Sequence, residues 1–552
     1  MQSTPLLLSS SRSEPEPTAS TAQIQKKVKT IGTAAATGLI LLLLFLSSNS
    51  RGSGAAGSAS AALETGSFKA SGDLSKPLLL SPLIDKGELL VARELSRTVN
   101  GHSGYITTTS TGGKDNHIFF WYQPCTECSD DKSEAPLIQW FNGGPGSPDT
   151  VGVFNQIGKS YVDEDLKLQD RCFTICRKAS CLFLDSPVGT GYSFQGDPDV
   201  DVDEVEFTRT SAETAEQAVD VLAQFLELFP EHKASPYYIQ GLSYAGHYVP
   251  HMGRAVLDKL KGLDLRGVNV GDPAMDHARE VVEYPNVFKT FGFVDDLEFQ
   301  ALSRMMLESK RLAESGDCVG AFTVWNKVFN DDGGSSCEPH CEFLYEAWTG
   351  SGNTEHALID EQPKEFDYFR KWLKVDGHEE EIHVAGSPAA GDSGASLSEG
   401  GEVYSTMVES GDFCENTTPI FAELVKSGVD VVISAGNMDV LLGPAMVGEA
   451  IKGVAESLGE GALEEFASSE KQIWRVEGKV VGFAKCIKRE GYFCYVVMKN
   501  SGHEGFSYQP RASFDLNERL ISRKFGWWGG RDEEELPQCK ESEGGAGPLL
   551  DL

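Results

Sequence analysis

The stretch Tyr237-Tyr238-Ile239-Gln240-Gly241-Leu242-Ser243-Tyr244-Ala245-Gly246-His247-Tyr248 constrains this chain more than any other. An apolar, β-prone run meets a glycine, then a serine, then residues that can run on as a helix from Met252 to Leu260. A strand that turns into a helix through one serine needs small residues two positions before and after it, and Gly241 and Ala245 supply them. The helix N-terminus behind the serine offers backbone N–H groups and partial positive charge to a developing oxyanion. Taken alone, the pattern also fits a buried strand end with an N-capping serine.

The flanking sequence places this elbow in an alternating pattern. Tyr105–Thr109 and His117–Tyr122 read as a hairpin across Gly112–Asn116. Pro136–Phe141 is an apolar strand that runs into Asn142-Gly143-Gly144-Pro145-Gly146, a loop whose backbone can approach a ligand closely. Cys181–Asp185 is another strand, followed by the Gly/Pro loop Ser186–Phe194. Thr208–Phe229 carries apolar residues at helical spacing, and Asp264–Pro273 reads as a strand after the elbow helix. Strands alternating with helices predict a mostly parallel α/β sheet, with sites in the loops at the carboxyl ends of its strands. From Met275 to Thr406 helical stretches (Asp296–Ser315, Lys364–Lys374) alternate with polar segments such as Ala385–Glu402, which predicts a helical insertion lying over those ends. Buried strands return at Val429–Gly436 and Tyr495–Met498.

Those two strands end in Asn437-Met438-Asp439 and Lys499-Asn500-Ser501-Gly502-His503. Ser243, Asp439 and His503 thus each follow an apolar strand, with a glycine close by, in the chain order of α/β hydrolases. In that arrangement His503 takes the proton of Ser243 and returns it to the leaving group, while Asp439 holds the imidazole tautomer and its positive charge. The backbone N–H groups of Tyr244 and of the Asn142–Gly146 loop face the oxyanion.

The chain has 552 residues and a net charge of −34. That acidity repels nucleic acid, and suits a soluble protein that stays charged in a mildly acidic compartment. Lys26-Lys27-Val28-Lys29 precedes an apolar run over residues 31–46, the pattern of secretory targeting. It reads as an uncleaved signal-anchor with its charged end cytoplasmic, or as a signal peptide cleaved near Ser47–Ala56. The 12 cysteines fall mostly in clusters. Cys125/Cys128 with Cys337/Cys341 could form a zinc site, but the polar loops around them favour disulfides, and no metal or other cofactor is expected. The expected organisation is a polar tail (1–30), the hydrophobic segment (31–46), a Ser/Gly/Ala-rich linker (47–78), the first part of the core (79–274), the helical cap insertion (275–406), the second part of the core (407–528) and an acidic tail (529–552). Asn416-Thr417-Thr418 is a glycosylation sequon.

From Gly87 to Phe525 the chain resembles the serine carboxypeptidase family. Trp140-Phe141-Asn142-Gly143-Gly144-Pro145-Gly146 is similar to the family's W-L-N-G-G-P-G loop, Leu182–Ser193 to L-F-L-D-x-P-V-G-T-G-[FY]-S, and Ser243–Pro250 to S-Y-A-G-x-Y-x-P. Asp439 and His503 fall where the family's catalytic Asp and His lie. The resemblance implies an α/β-hydrolase fold with a helical cap, an acidic pH optimum, and a lysosomal, vacuolar or secreted setting. It also implies an oxyanion hole made by the amides of Gly144 and Tyr244, and substrate binding around Asn142, Gly143 and positions 156 and 242.

The departures concern that last group. The glutamate the family places before its nucleophile is Leu242 here, and a second family glutamate is Gln156. In the family both glutamates, with the loop asparagine, hold the substrate's terminal carboxylate. Leucine donates no hydrogen bond, and glutamine donates without titrating; each lost bond to a charged group costs about 1.5–3 kcal/mol. The family's cysteine after the glycine loop is replaced by Ser147, so Cys414, which resembles its usual partner, is expected to be unpaired or re-paired. Glu504-Gly505-Phe506 follows the histidine where the family is more apolar, which disfavours an anionic substrate. The first expectation is therefore a serine carboxypeptidase acting on peptides through an acyl-enzyme. The alternatives are an esterase or acyltransferase on the same machinery, and a non-catalytic family member.

Overall fold

The computed structural model describes residues 75–128, 135–197, 204–329, 344–390 and 400–525. The expected tail at 1–30, the hydrophobic segment at 31–46, nearly all of the linker and the acidic tail at 529–552 lie outside the described residues, as do Cys337, Cys341 and Cys539. Among the described residues no helix is long and apolar enough to cross a membrane.

The apolar runs form the strands of one sheet. In chain order these are β1 (Gly101–Thr109), β2 (Asp115–Gln123), β3 (Leu137–Phe141), β4 (Ser180–Leu184), β5 (Pro236–Leu242), β6 (Asp264–Gly271), β7 (Asp430–Gly436), β8 (Gln472–Val476), β9 (Lys479–Lys488) and β10 (Tyr492–Met498). Their spatial order is β1-β2-β4-β3-β5-β6-β7-β10-β9-β8, and the two-residue strands Arg97–Thr98 and Phe194–Gln195 add to β1 and β2. The central run from β4 to β10 is parallel throughout. Both flanks are antiparallel hairpins, β1/β2 and β8/β9/β10. Strands β3, β4, β5 and β7 are buried at every residue, as strands covered on both faces must be.

One face packs on α1 (Ser211–Leu228), α2 (Ala245–Lys259), α5 (Thr418–Lys426) and α6 (Pro444–Ser457), through residues such as Leu222, Phe225, Val249, Phe421 and Ile451. The other packs on α7 (Pro510–Ile521) and on an aromatic group that includes Trp140, Phe154, Trp372 and Trp474. Between β6 and β7 the described residues form helices and turns with no strand, including α3 (Asp296–Glu314) and α4 (Cys318–Phe329). Helix α3 starts where the sequence stops it fraying: the Asp295 side chain accepts from the N–H groups of Leu297 and Glu298, and Glu298 accepts from the Asp295 N–H. This helical segment has its own core of Tyr284, Phe288, Trp325, Phe329 and Tyr345, which also packs on Val440 and Met446.

Disulfides join Cys125 to Cys128, Cys176 to Cys181 and Cys486 to Cys494. The first excludes a zinc ligand role for Cys125 and Cys128, and all three are consistent with an oxidising, secretory compartment.

Candidate active site

The parallel order of the central strands brings distant sequence together. Strands β3, β5, β6, β7 and β10 lie side by side with one direction, so everything just past their carboxyl ends meets along one edge. In that order these are the Asn142–Gly146 loop, Ser243, Asp272, Asp439 and His503.

Ser243 sits directly between β5 and α2 with φ +63°, in the left-handed region that a non-glycine residue occupies only under constraint. The turn is as tight as the sequence predicts. A Cβ on Gly241 would lie 2.5 Å from the Ala245 Cβ and 2.6 Å from the Phe141 carbonyl oxygen. The glycine loop after β3 closes over the serine: a Cβ on Gly143 would stand 2.6 Å from the Ser243 Cβ and 2.8 Å from the Tyr244 nitrogen. Tyr244 is fixed from its other end, its hydroxyl donating to the buried Asp412 carboxylate at 2.7 Å. Asp412 also accepts from the Ser211 N–H and hydroxyl.

His503 and Asp439 are both buried, and Nδ1 of the imidazole lies 2.8 Å from Asp439 Oδ2. Asp439 Oδ1 accepts from the Leu441 N–H at 2.7 Å, which orients the carboxylate. Burial disfavours the imidazolium, but the charge and hydrogen bond of Asp439, then Glu355 and Asp272, outweigh it and raise the His503 pKa.

Asp272 is a residue that sequence reasoning missed. Its carboxyl, Asp439 and His503 have ligand atoms all within 4.8 Å of one another, and it accepts from the Gly436 N–H at 2.7 Å. Burial, then the adjacent Asp439 charge, push its carboxyl well above the usual range. The signal was present: Gly271-Asp272-Pro273 ends an apolar strand as the other site residues do. Glu355 was also missed, and here the sequence carries no signal, because the residue arrives from the helical segment. Its carbonyl accepts from the His503 N–H at 2.8 Å, and its Oε2 is buried without a hydrogen-bond partner. Burial, then the Glu355 charge, raise Glu504 to about 7. The Ser507 hydroxyl donates to both the Glu504 carboxylate and the Asn155 carbonyl, each at 2.8 Å, which ties the acid to the helix preceding Gln156.

The residues of the expected carboxylate site divide. Gln156 Nε2 donates to Asn142 Oδ1 at 3.3 Å, so these two are brought together, and Gln156 Oε1 is buried without a partner. The Asn142 N–H donates to the buried Asp149 at 2.6 Å. Leu242 instead turns into the core, 3% exposed, beside Met498, Phe506, Leu516 and Asp272.

Ser243, Gly144 and Tyr244 open onto a narrow cleft of about 60 Å³. Its walls are mainly apolar: Val281, Tyr284, Trp325, Phe413, Leu441 and Leu442. Burial lowers His277 to about 3 and raises Glu280 to about 8, so both are neutral in mild acid, and burial also lowers His247.

A mostly parallel sheet with a strained serine after a central strand and a buried His–Asp pair two strands away defines an α/β hydrolase. The yeast prohormone-processing carboxypeptidase Kex1(Δ)p from Saccharomyces cerevisiae has the same fold, with a TM-score of 0.61 over 76% of this chain and 91% of that one at 21% identity. The family model described as serine carboxypeptidase matches residues 94–523. The chain belongs to the serine carboxypeptidase family and is a serine hydrolase of carboxypeptidase type. It is 27% identical over 475 residues to the probable serine carboxypeptidase CPVL of Homo sapiens, covering 84% of this chain and 92% of the relative. It is 24% identical over 465 residues to the venom serine carboxypeptidase of Apis mellifera, covering 82% and 92%.

Proposed function

We propose that this enzyme removes C-terminal residues from peptides through an acyl-enzyme on Ser243. The observation that carries this reading is the strained serine, held under the glycine loop and in line with the His503–Asp439 pair on adjacent strand ends. His503 accepts the Ser243 proton as Oγ attacks the scissile carbonyl, and Asp439 stabilises the imidazolium. The amides of Gly144 and Tyr244 receive the oxyanion. His503 then protonates the departing amino group and activates the water that releases the acyl portion. The cleft takes the side chain on the acyl side of the bond, and its apolar walls favour a large apolar residue. Asn142, Gly143 and Gln156 hold the terminal carboxylate, and Leu242, turned into the core, contributes no hydrogen bond to it. Residues 275–406 serve as a cap over this site, and the working compartment is a lumenal or extracellular one on the secretory route, where the exposed Asn416 is a glycan acceptor.

A second reading is supported by Leu242 and Gln156: an esterase or acyltransferase with no demand for a free carboxylate. The two are separated by offering an N-blocked dipeptide and the matching C-terminal ester and amide. Release of the C-terminal residue from the free acid supports the carboxypeptidase. Cleavage of ester and amide with none of the acid overturns it in favour of the second reading.

A further inference from the structure

Among the described residues, two cysteines carry free thiols. Cys318 is the first residue of α4, in the helical segment, and Cys414 ends a short 3₁₀ turn, Asp412–Cys414, that leads into α5 of the core. They are 96 residues apart in sequence and adjacent in space. The Cys318 Cβ and Sγ would lie 3.4 and 3.8 Å from a Cβ on Gly411, three residues before Cys414, and the two thiols face each other. Both are partly buried, so neither needs an opening of the fold to be reached.

The turn between them is part of the site's wall. Phe413 lines the cleft, stacks on Tyr244 with centroids 6.4 Å apart, and meets Phe322 and Trp325 of α4 at 4.8 and 5.2 Å. On one side of Phe413, Asp412 grips the Tyr244 hydroxyl; on the other, Cys414 faces Cys318. The chain has serine at position 147, where its family carries the cysteine that usually joins the position of Cys414 to the glycine loop.

We propose that Cys318 and Cys414 form a disulfide that ties α4 to the turn carrying Phe413, a cross-link between the helical segment and the core in place of one to the glycine loop. A disulfide donor such as oxidised glutathione supplies the oxidising equivalents. One cysteine thiolate attacks the donor, forming a mixed disulfide and expelling one glutathione thiolate. The other thiolate then attacks the protein sulfur of that mixed disulfide, forming the Cys318–Cys414 bond and expelling the second glutathione. The two protein thiols lose two protons and two electrons, and the donor becomes two thiols. The bond holds the Phe413 wall against α4, so it acts on the width of the cleft rather than on the triad.

The test uses the full chain, folded, after brief mild reduction and then treatment with oxidised glutathione. Remaining thiols are blocked with an alkylating reagent, and peptides are mapped without reduction. A peptide pair joined through Cys318 and Cys414, absent from Cys318→Ser and Cys414→Ser proteins, is the expected result. Both cysteines recovered alkylated, held as glutathione adducts, or joined to other cysteines overturns the proposal. The consequence for the cleft rests on the carboxypeptidase reading, and the mapping does not. With a blocked peptide bearing a bulky aromatic residue on the acyl side, oxidised enzyme should differ severalfold from reduced enzyme in KM with little change in kcat. The double serine variant should be indifferent to the treatment. A linked pair with unchanged KM removes the effect on the cleft.

Discussion

At the scale of single residues, a small set of side chains carries the proposed chemistry. Ser243→Ala should lower kcat by about 10⁴–10⁶-fold while leaving the thermal midpoint close to that of the parent, measured by turnover and by calorimetry. Asp272 stands beside the His503–Asp439 pair. Raised by burial and by Asp439, its carboxyl is neutral in acid and can donate to Asp439; as pH rises through its folded pKa, a second negative charge appears beside Asp439, His503 and the half-buried Tyr495. Asparagine cannot ionise, so Asp272→Asn should match the parent in acid and lose one ionisation from the alkaline limb of kcat/KM; identical limbs in the two proteins would remove Asp272 from the mechanism. In the proposed mechanism Glu504 and Glu355 stand beside the imidazole that protonates the leaving group. A substrate ending in glutamate should therefore turn over more slowly than one ending in glutamine, with the gap widening above pH 7 as Glu504 ionises and narrowing in Glu504→Gln. Ser243, Asp439 and His503 were legible in sequence because each sits on a strand-end signature. Asp272 carried the same signature without a motif to match it, and Glu355 reaches the site only through tertiary packing.

The elements explain why those residues meet. The elbow is steric before it is chemical: with 2.5 Å between a Cβ on Gly241 and the Ala245 Cβ, Gly241→Val forces strand and helix apart. Such overpacking costs about 1–3 kcal/mol. The variant should show a lowered denaturation midpoint together with loss of active-serine labelling, whereas a merely local effect would leave labelling intact. The buried parallel strands were readable as continuous apolar runs. The β8–β9 hairpin was not, because β8, the edge strand, alternates buried and exposed residues over only Gln472–Val476 and its partner β9 carries Lys479, Lys485 and Lys488. The substrate-facing change at Leu242 was legible as a residue, but its orientation was not. In the structure it belongs to the core with Met498 and Phe506, so the departure removes a donor from the site without putting a new group into the cleft.

For the whole molecule, the titrating groups set a pH window for stability. Above about pH 7.5 the buried histidines with lowered pKa, such as His277 and His383, are essentially neutral in both folded and unfolded states and contribute little slope. Glu280, raised to about 8, and Glu504, raised to about 7, are then more protonated folded than unfolded, and His503, also raised, holds its proton in the folded state. Each binds more protons in the folded state, so stability must fall as pH rises through this window. The net charge of −34 pushes the same way through self-repulsion. Thermal midpoints should decline from about pH 7.5 to 9, and Glu280→Gln should flatten the decline; a midpoint that rises over the window would contradict this charge assignment. The most direct measurement of the central claim is covalent. Folded enzyme treated with a fluorophosphonate should gain one adduct, mapped to the Ser243 peptide, and Ser243→Ala should gain none. An unmodified parent protein, or an adduct on another residue that persists in Ser243→Ala, would contradict it.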